Sequence, residues 1–105
     1  MAYSAHNRNG ASIRNPSLAQ MQVLLESLTY CDPEHPDVGL KHESQWCLSA
    51  FGSGLLVFEN VETGEGPWHM RGILRERVLE LWQLLASGNV RELQLLPWEP
   101  GYGVT

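Results

Sequence analysis

Four histidines, two cysteines and twelve carboxylates are the side chains of this 105-residue chain that could do acid–base, nucleophilic or metal chemistry. Glu59 and His69 are the most suggestive pair, because they fall in two short extended segments joined by a turn. A hairpin there would set them opposite one another, where a carboxylate orients an imidazole and favours its charged form. The same geometry equally makes a plain surface hydrogen bond. Cys47 with His69 would give a thiol beside a base, as nucleophilic catalysis needs. Its flanks, Trp46 and Leu48, instead describe a buried structural thiol. His6, His35, His42 and His69 show no HxH, HExxH or His–Cys spacing, so sequence-local metal ligation is not indicated. A site assembled in space from His35, Asp37 and His42 is the remaining metal alternative. Gly52-Ser53-Gly54 lacks the lysine of a phosphate loop and opens a strand, so its glycines serve a turn, and Gly64-Glu65-Gly66 reads the same way. No catalytic residue, metal site or cofactor is assigned on these patterns.

The aromatic residues point to binding. Alternation places Trp46, Leu48 and Ala50 on one side of a strand and Cys47, Ser49 and Phe51 on the other. Leu55, Val57 and Glu59 oppose Leu56, Phe58 and Asn60, and Trp68 and Met70 oppose His69. More apolar groups result than one helix-covered face can use, which predicts an aromatic patch on the second face. Trp46, Phe58, Glu59, Trp68 and His69 are its expected binding residues. The alternative is that both faces are covered, the second by the tail Trp98 to Tyr102.

These residues need elements to position them. Residues Met1 to Ile13 are polar and rich in Asn, Ser and Gly, and read, as residues 1–13, as a flexible lead-in. Asn15-Pro16 supplies a cap and a first-turn proline, and Leu18, Met21, Leu24, Leu25 and Leu28 follow at helical spacing. Asp32-Pro33 and His35-Pro36 stop that helix in a loop. Val38 to His42, Gln45 to Phe51, Leu55 to Val61 and Pro67 to Met70 read as strands separated by turns of two to five residues, too short for parallel crossovers. Leu74, Val78, Leu81, Trp82 and Leu85 begin a second helix that Gly88 ends. Val90 to Leu96 makes a short third helix, closed by Pro97. Residues 97–105 form an irregular aromatic tail packed back on the body. The expectation is one α+β domain over residues 1–105: a four-stranded antiparallel meander, with an N-terminal helix and a C-terminal helix pair packed on one face.

Composition narrows the partners. With 43% hydrophobic and 18% charged residues, the chain fits one globular domain that buries roughly 65% of its unfolded surface. Seven basic residues against twelve acidic ones give −5, which argues against nucleic acid. Eight acids and one base, Lys41, lie between Glu26 and Glu65, a field that would steer a basic protein partner. No apolar stretch reaches the roughly 20 residues of a membrane span, and the first twenty residues hold no signal-peptide core. Cys31 and Cys47 carry no CxxC motif and read as free thiols in a reducing cytoplasm, with a single disulfide in an exported chain as the competing reading.

Asn15-Pro16-Ser17 opening a helix, Trp46-Cys47-Leu48-Ser49, Ser53-Gly54-Leu55, Phe58-Glu59-Asn60 and His69-Met70-Arg71 together resemble segments of small bacterial proteins without assigned activity. More distantly, the helix-then-meander layout from about Asn15 to Gly88 resembles the immunity proteins of bacterial polymorphic-toxin systems. That resemblance implies a cytoplasmic inhibitor that blocks a cognate toxin by direct contact. It carries no functional residue, because no defined inhibitory motif matches. The leading expectation is therefore a non-enzymatic protein-binding domain, of the immunity or antitoxin kind, acting through its sheet. A small enzyme or ligand-binding domain, with a pocket lined by Trp46, Glu59, Trp68 and His69, is the alternative. A homodimer paired through the sheet is the third.

Overall fold

The computed structural model describes residues 2–7, 11–29 and 37–103. Its first segment corrects the expected flexible lead-in. Tyr3–His6 (β1) and Ser12–Arg14 (β2) form an antiparallel hairpin with Ser4 opposite Arg14, Ala5 opposite Ile13 and His6 opposite Ser12. Tyr3, Ala5 and Ile13 pack against the core, which offsets the polar composition around them. Asn15, in the left-handed region at φ 47°, closes this hairpin. Its side-chain oxygen accepts the Tyr3 amide at 3.1 Å and its own amide donates to the Tyr3 carbonyl at 2.8 Å.

Because Asn15 is engaged there, the cap of the first helix moves on to Ser17. Helix α1 (Leu18–Glu26) opens with a capping box: the Gln20 amide donates to Ser17 Oγ and the Ser17 amide to Gln20 Oε1. A single 3-10 turn, Ser27–Thr29, follows. The predicted Asp32-Pro33 and His35-Pro36 loop, with Cys31, lies outside the described residues.

The four predicted strands form, as β3 (Asp37–His42), β4 (Trp46–Phe51), β5 (Leu56–Asn60) and β6 (Trp68–Met70). They are the middle of a larger sheet than expected. The order is β2-β1-β3-β4-β5-β6-β7, all antiparallel, where β7 is Glu99–Pro100. The four-stranded meander is thus corrected to seven strands. The N-terminal hairpin extends one side, and the tail, expected to be irregular, extends the other.

Helix α2 (Arg75–Ala86) ends at Gly88, whose φ of 82° is the left-handed conformation glycine adopts without strain. Helix α3 is Val90–Gln94, shorter than expected. Met21, Leu24 and Leu25 of α1, Val78, Leu81, Trp82 and Leu85 of α2 and Leu93 of α3 share one buried cluster with the strand side chains Val38, Leu40, Trp46, Leu48, Ala50, Leu56 and Phe58. All three helices therefore lie on one face of the sheet. Burial of each such Leu, Phe or Val side chain contributes roughly 1.5–3 kcal/mol. Trp82, with no exposed surface, also spends its indole N–H on the Leu48 carbonyl at 3.2 Å, fixing α2 against β4. Among the described residues no helix is long and apolar enough to cross a membrane.

Candidate functional site

Strand register decides which side chains meet. Leu40, Leu48, Phe58 and Trp68 stand opposite one another across four strands, so they share a face with Val38, Ala50, Leu56 and Met70. That is the helix-covered face. Trp46 stacks on Phe58 at 4.6 Å between ring centroids, Trp68 lies 6.0 Å from Trp46, and Trp98 stacks on Phe58 at 5.2 Å. The expected aromatic patch on the second face is therefore corrected: Trp46, Phe58 and Trp68 belong to the core side. Glu59 and His69 project to the other side. The five expected binding residues divide between two faces, so Trp46 and Trp68 do not line one pocket with Glu59 and His69.

The uncovered face is polar instead. One row across it reads Arg14, Ser4, Lys41, Cys47 and Glu59, from β2 to β5. The next reads Ser12, His6, Gly39, Ser49, Val57, His69 and Glu99, from β2 to β7. Each histidine faces a carboxylate: His6 Nε2 lies 3.6 Å from Asp37 Oδ2 and His69 Nε2 3.4 Å from Glu99 Oε2. Glu59 and His69 do not pair, since His69 stands opposite Val57. Glu59 Oε2 instead accepts the Tyr102 hydroxyl at 2.7 Å, and His69 Nδ1 donates to the Gly101 carbonyl at 2.9 Å.

The tail makes these contacts because it turns around the sheet edge. Trp98 is stacked on the core side, β7 forms the edge, and Gly101 to Gly103 cross to the uncovered face. Gly103, at φ 74°, passes so close that a Cβ on it would meet His69 and Leu55 at 3.0 Å. The tail thus covers the β5–β7 side of this face, where Val57 is 2% and His69 8% exposed, while Ser12, Arg14 and Lys41 on the β2–β3 side stay exposed among the described residues. The alternative of a fully covered second face is met only there.

Cys47 is free and buried, with its thiol 3.8 Å from Ser49 Oγ. Burial pushes its pKa up; the Ser49 hydrogen bond opposes this, the Glu59 charge adds to it, and Lys41 and Asp37 make smaller contributions of opposite sign. A thiol held protonated is a poor nucleophile, which speaks for the structural role. The His35–Asp37–His42 metal alternative does not assemble from the residues described: Asp37 and His42 alternate to opposite faces of β3, and His35 is outside them. His42 is buried on the core side, where Nδ1 accepts the Ser44 amide at 3.1 Å, leaving Nε2 as the N–H. Among the described residues no group of three potential ligands could hold a metal ion.

The acidic field is also differently arranged than the sequence suggests. Glu43, Glu62 and Glu65 are exposed on turns, and Glu26 ends α1. The uncovered face carries Asp37, Glu59 and Glu99 against Arg14 and Lys41. Rather than being uniformly negative, it has its bases, Arg14 and Lys41, toward β2 and Glu59 and Glu99 toward β7, with Asp37 an acid on β3 beside the bases. Register across seven strands is what sequence reading lacked, since alternation within each strand was legible but the sharing of faces between strands was not. Comparison with family models, with curated proteins and with solved structures gives no match.

Proposed function

We propose that this chain is a non-enzymatic protein-binding domain that docks through the uncovered face of its sheet. One observation carries the reading: a seven-stranded sheet with all three helices on one side leaves a broad second side with ionic groups at both ends. Arg14 and Lys41 on that side have no ion-pair partner among the described residues. Unpaired charges flanking uncharged Ser4, Cys47 and Ser49 suit a partner surface of complementary sign better than a small ligand. The separated signs favour a partner bearing both charges over the uniformly basic one that composition suggests.

An inhibitor acting by contact in the cytoplasm, as the immunity-protein resemblance implies, is the most concrete form of this role. Site-specific photo-cross-linking in cells tests it. A cross-linking residue at Ser49 is expected to yield a discrete protein adduct, and one at Val23, 65% exposed on α1, is not. Equal yields at the two positions, or none at Ser49, would overturn the reading.

A further inference from the structure

The geometry points to a second copy of this chain as the occupant of the uncovered face, in a two-fold dimer whose axis runs along β4. This rests on the reading of that face as a docking surface and names its partner. A two-fold axis lying in the interface along the central strand maps each strand of the order β2-β1-β3-β4-β5-β6-β7 onto its mirror position in the copy. β3 then lies over β5, β2 over β7 and β1 over β6. Lys41 and Glu59 occupy the same row, so each Lys41 meets the copy's Glu59 and each Glu59 the copy's Lys41. Arg14 meets Glu99 with an offset of one row, roughly 7 Å along the strands, which an arginine side chain spans.

The axis itself satisfies a stricter condition. A residue on a two-fold axis faces its own image, so an ionised group there would repel itself. β4 presents Cys47, Ser49 and Phe51 on this face, none charged at neutral pH. His6 falls over the copy's β6, where the tail residues Gly101 to Gly103 cover His69, and each ring already faces a carboxylate of its own chain. No like-charged pair of carboxylates or bases is forced together.

Width and edges agree. Six strand spacings of about 4.8 Å give a face roughly 29 Å wide, matching the long dimensions of 31 and 30 Å. With strands of two to six residues, about 14 Å long on average, each copy offers roughly 400 Å² in projection before side-chain relief, about half the ~800 Å² per partner of a standard interface. The sheet edges, of three residues in β2 and two in β7, are too short for a continuous edge-to-edge pairing. Face-to-face packing does not meet that limit.

Sedimentation equilibrium of the full chain is the test. The expected result is a species of twice the 11.8 kDa chain mass, with a dissociation constant that rises at least tenfold between 50 mM and 0.5 M salt. Lys41→Glu and Glu59→Lys each weaken it at least tenfold. The double swap restores it to within about threefold, because the two-fold pairs the exchanged charges again. Arg77→Glu, on α2 beside Glu80, leaves it unchanged. A concentration-independent monomer at low salt overturns the dimer, as does a swap that fails to rescue. The salt series on the unmodified chain decides the matter even where a single variant folds poorly. A monomer whose Ser49 cross-links a different protein overturns this inference while the docking reading stands. Absence of any adduct at Ser49 overturns both.

Discussion

Tyr102 donates its phenol to Glu59 at 2.7 Å, tying the C-terminal tail to the centre of the sheet across 43 positions of chain. The hydrogen bond and then the carboxylate charge both disfavour the phenolate, so the Tyr102 pKa is raised above the ordinary 10.0. The sign follows by linkage: the contact is intact below the unfolded value and is lost as pH rises through the higher folded one. The difference between ultraviolet titrations of the unmodified chain and of Tyr102→Phe should place the Tyr102 phenol above 10.0, and Glu59→Gln should bring it down. A Tyr102 that titrates at or below 10.0 in the unmodified chain would contradict the latch.

Cys47 gives the second prediction. Burial, with Glu59 nearby, raises its pKa above the ordinary 9.0, so the thiol stays protonated at neutral pH. In a Cys31→Ser background, alkylation at pH 7.5 should run at least tenfold slower than for a free thiol. The same linkage makes the neutral thiol's contribution to stability fade as pH climbs past 9.0 toward the folded value. Glu59→Gln removes one of the raising influences and should shift the onset of alkylation to lower pH.

Asn60 gives the third. It is 5% exposed and joins two turns: Oδ1 accepts the Glu62 and Thr63 amides at 3.0 and 2.9 Å, and Nδ2 donates to the Ser44 carbonyl at 3.2 Å. Asn60→Ala strands these partners at a cost of roughly 2–3 kcal/mol. For a domain of this size that lowers Tm by about 10–20 °C. Thermal unfolding followed by circular dichroism measures it, and a loss under about 3 °C would mean that water replaces the side chain.

What the sequence made legible follows from interaction range. The strands from Val38 to Met70 and the helix from Leu74 show themselves because each carries its own period of two or of 3.6 along the chain. β1, β2 and β7 are four, three and two residues long, too short for a period, and depend on partners elsewhere. Asn15 resembles a helix cap in sequence because its preference for a turn is the same in either role, and only the proximity of Tyr3 distinguishes them. The site was missed for a similar reason. Trp46, Phe58 and Trp68 look like surplus until the register stacks them with Trp98 on one side. The polar row of Arg14, Ser4, Lys41, Cys47 and Glu59 is scattered over 56 residues of chain and exists only in the assembled sheet.

His6 and Gly39 supply the last prediction, and it separates backbone preference from side-chain contact. The His6 ring lies over Gly39 in the neighbouring strand, so close that a Cβ there would fall 2.3 Å from its Cε1. Gly39→Ala must push the ring aside and break its contact with Asp37 at 3.6 Å. In a strand interior, alanine is otherwise favoured over glycine by roughly 0.5–1 kcal/mol, because it leaves less freedom to lose on folding. Gly39→Ala alone should therefore destabilise the fold or leave it level, whereas in a His6→Ala background it should stabilise it by about that amount. The double-mutant cycle measured by urea unfolding should yield a coupling of roughly 1 kcal/mol or more. Additive effects of the two substitutions would show that the ring does not rest on Gly39, and that the first strand is held by its backbone ladder alone.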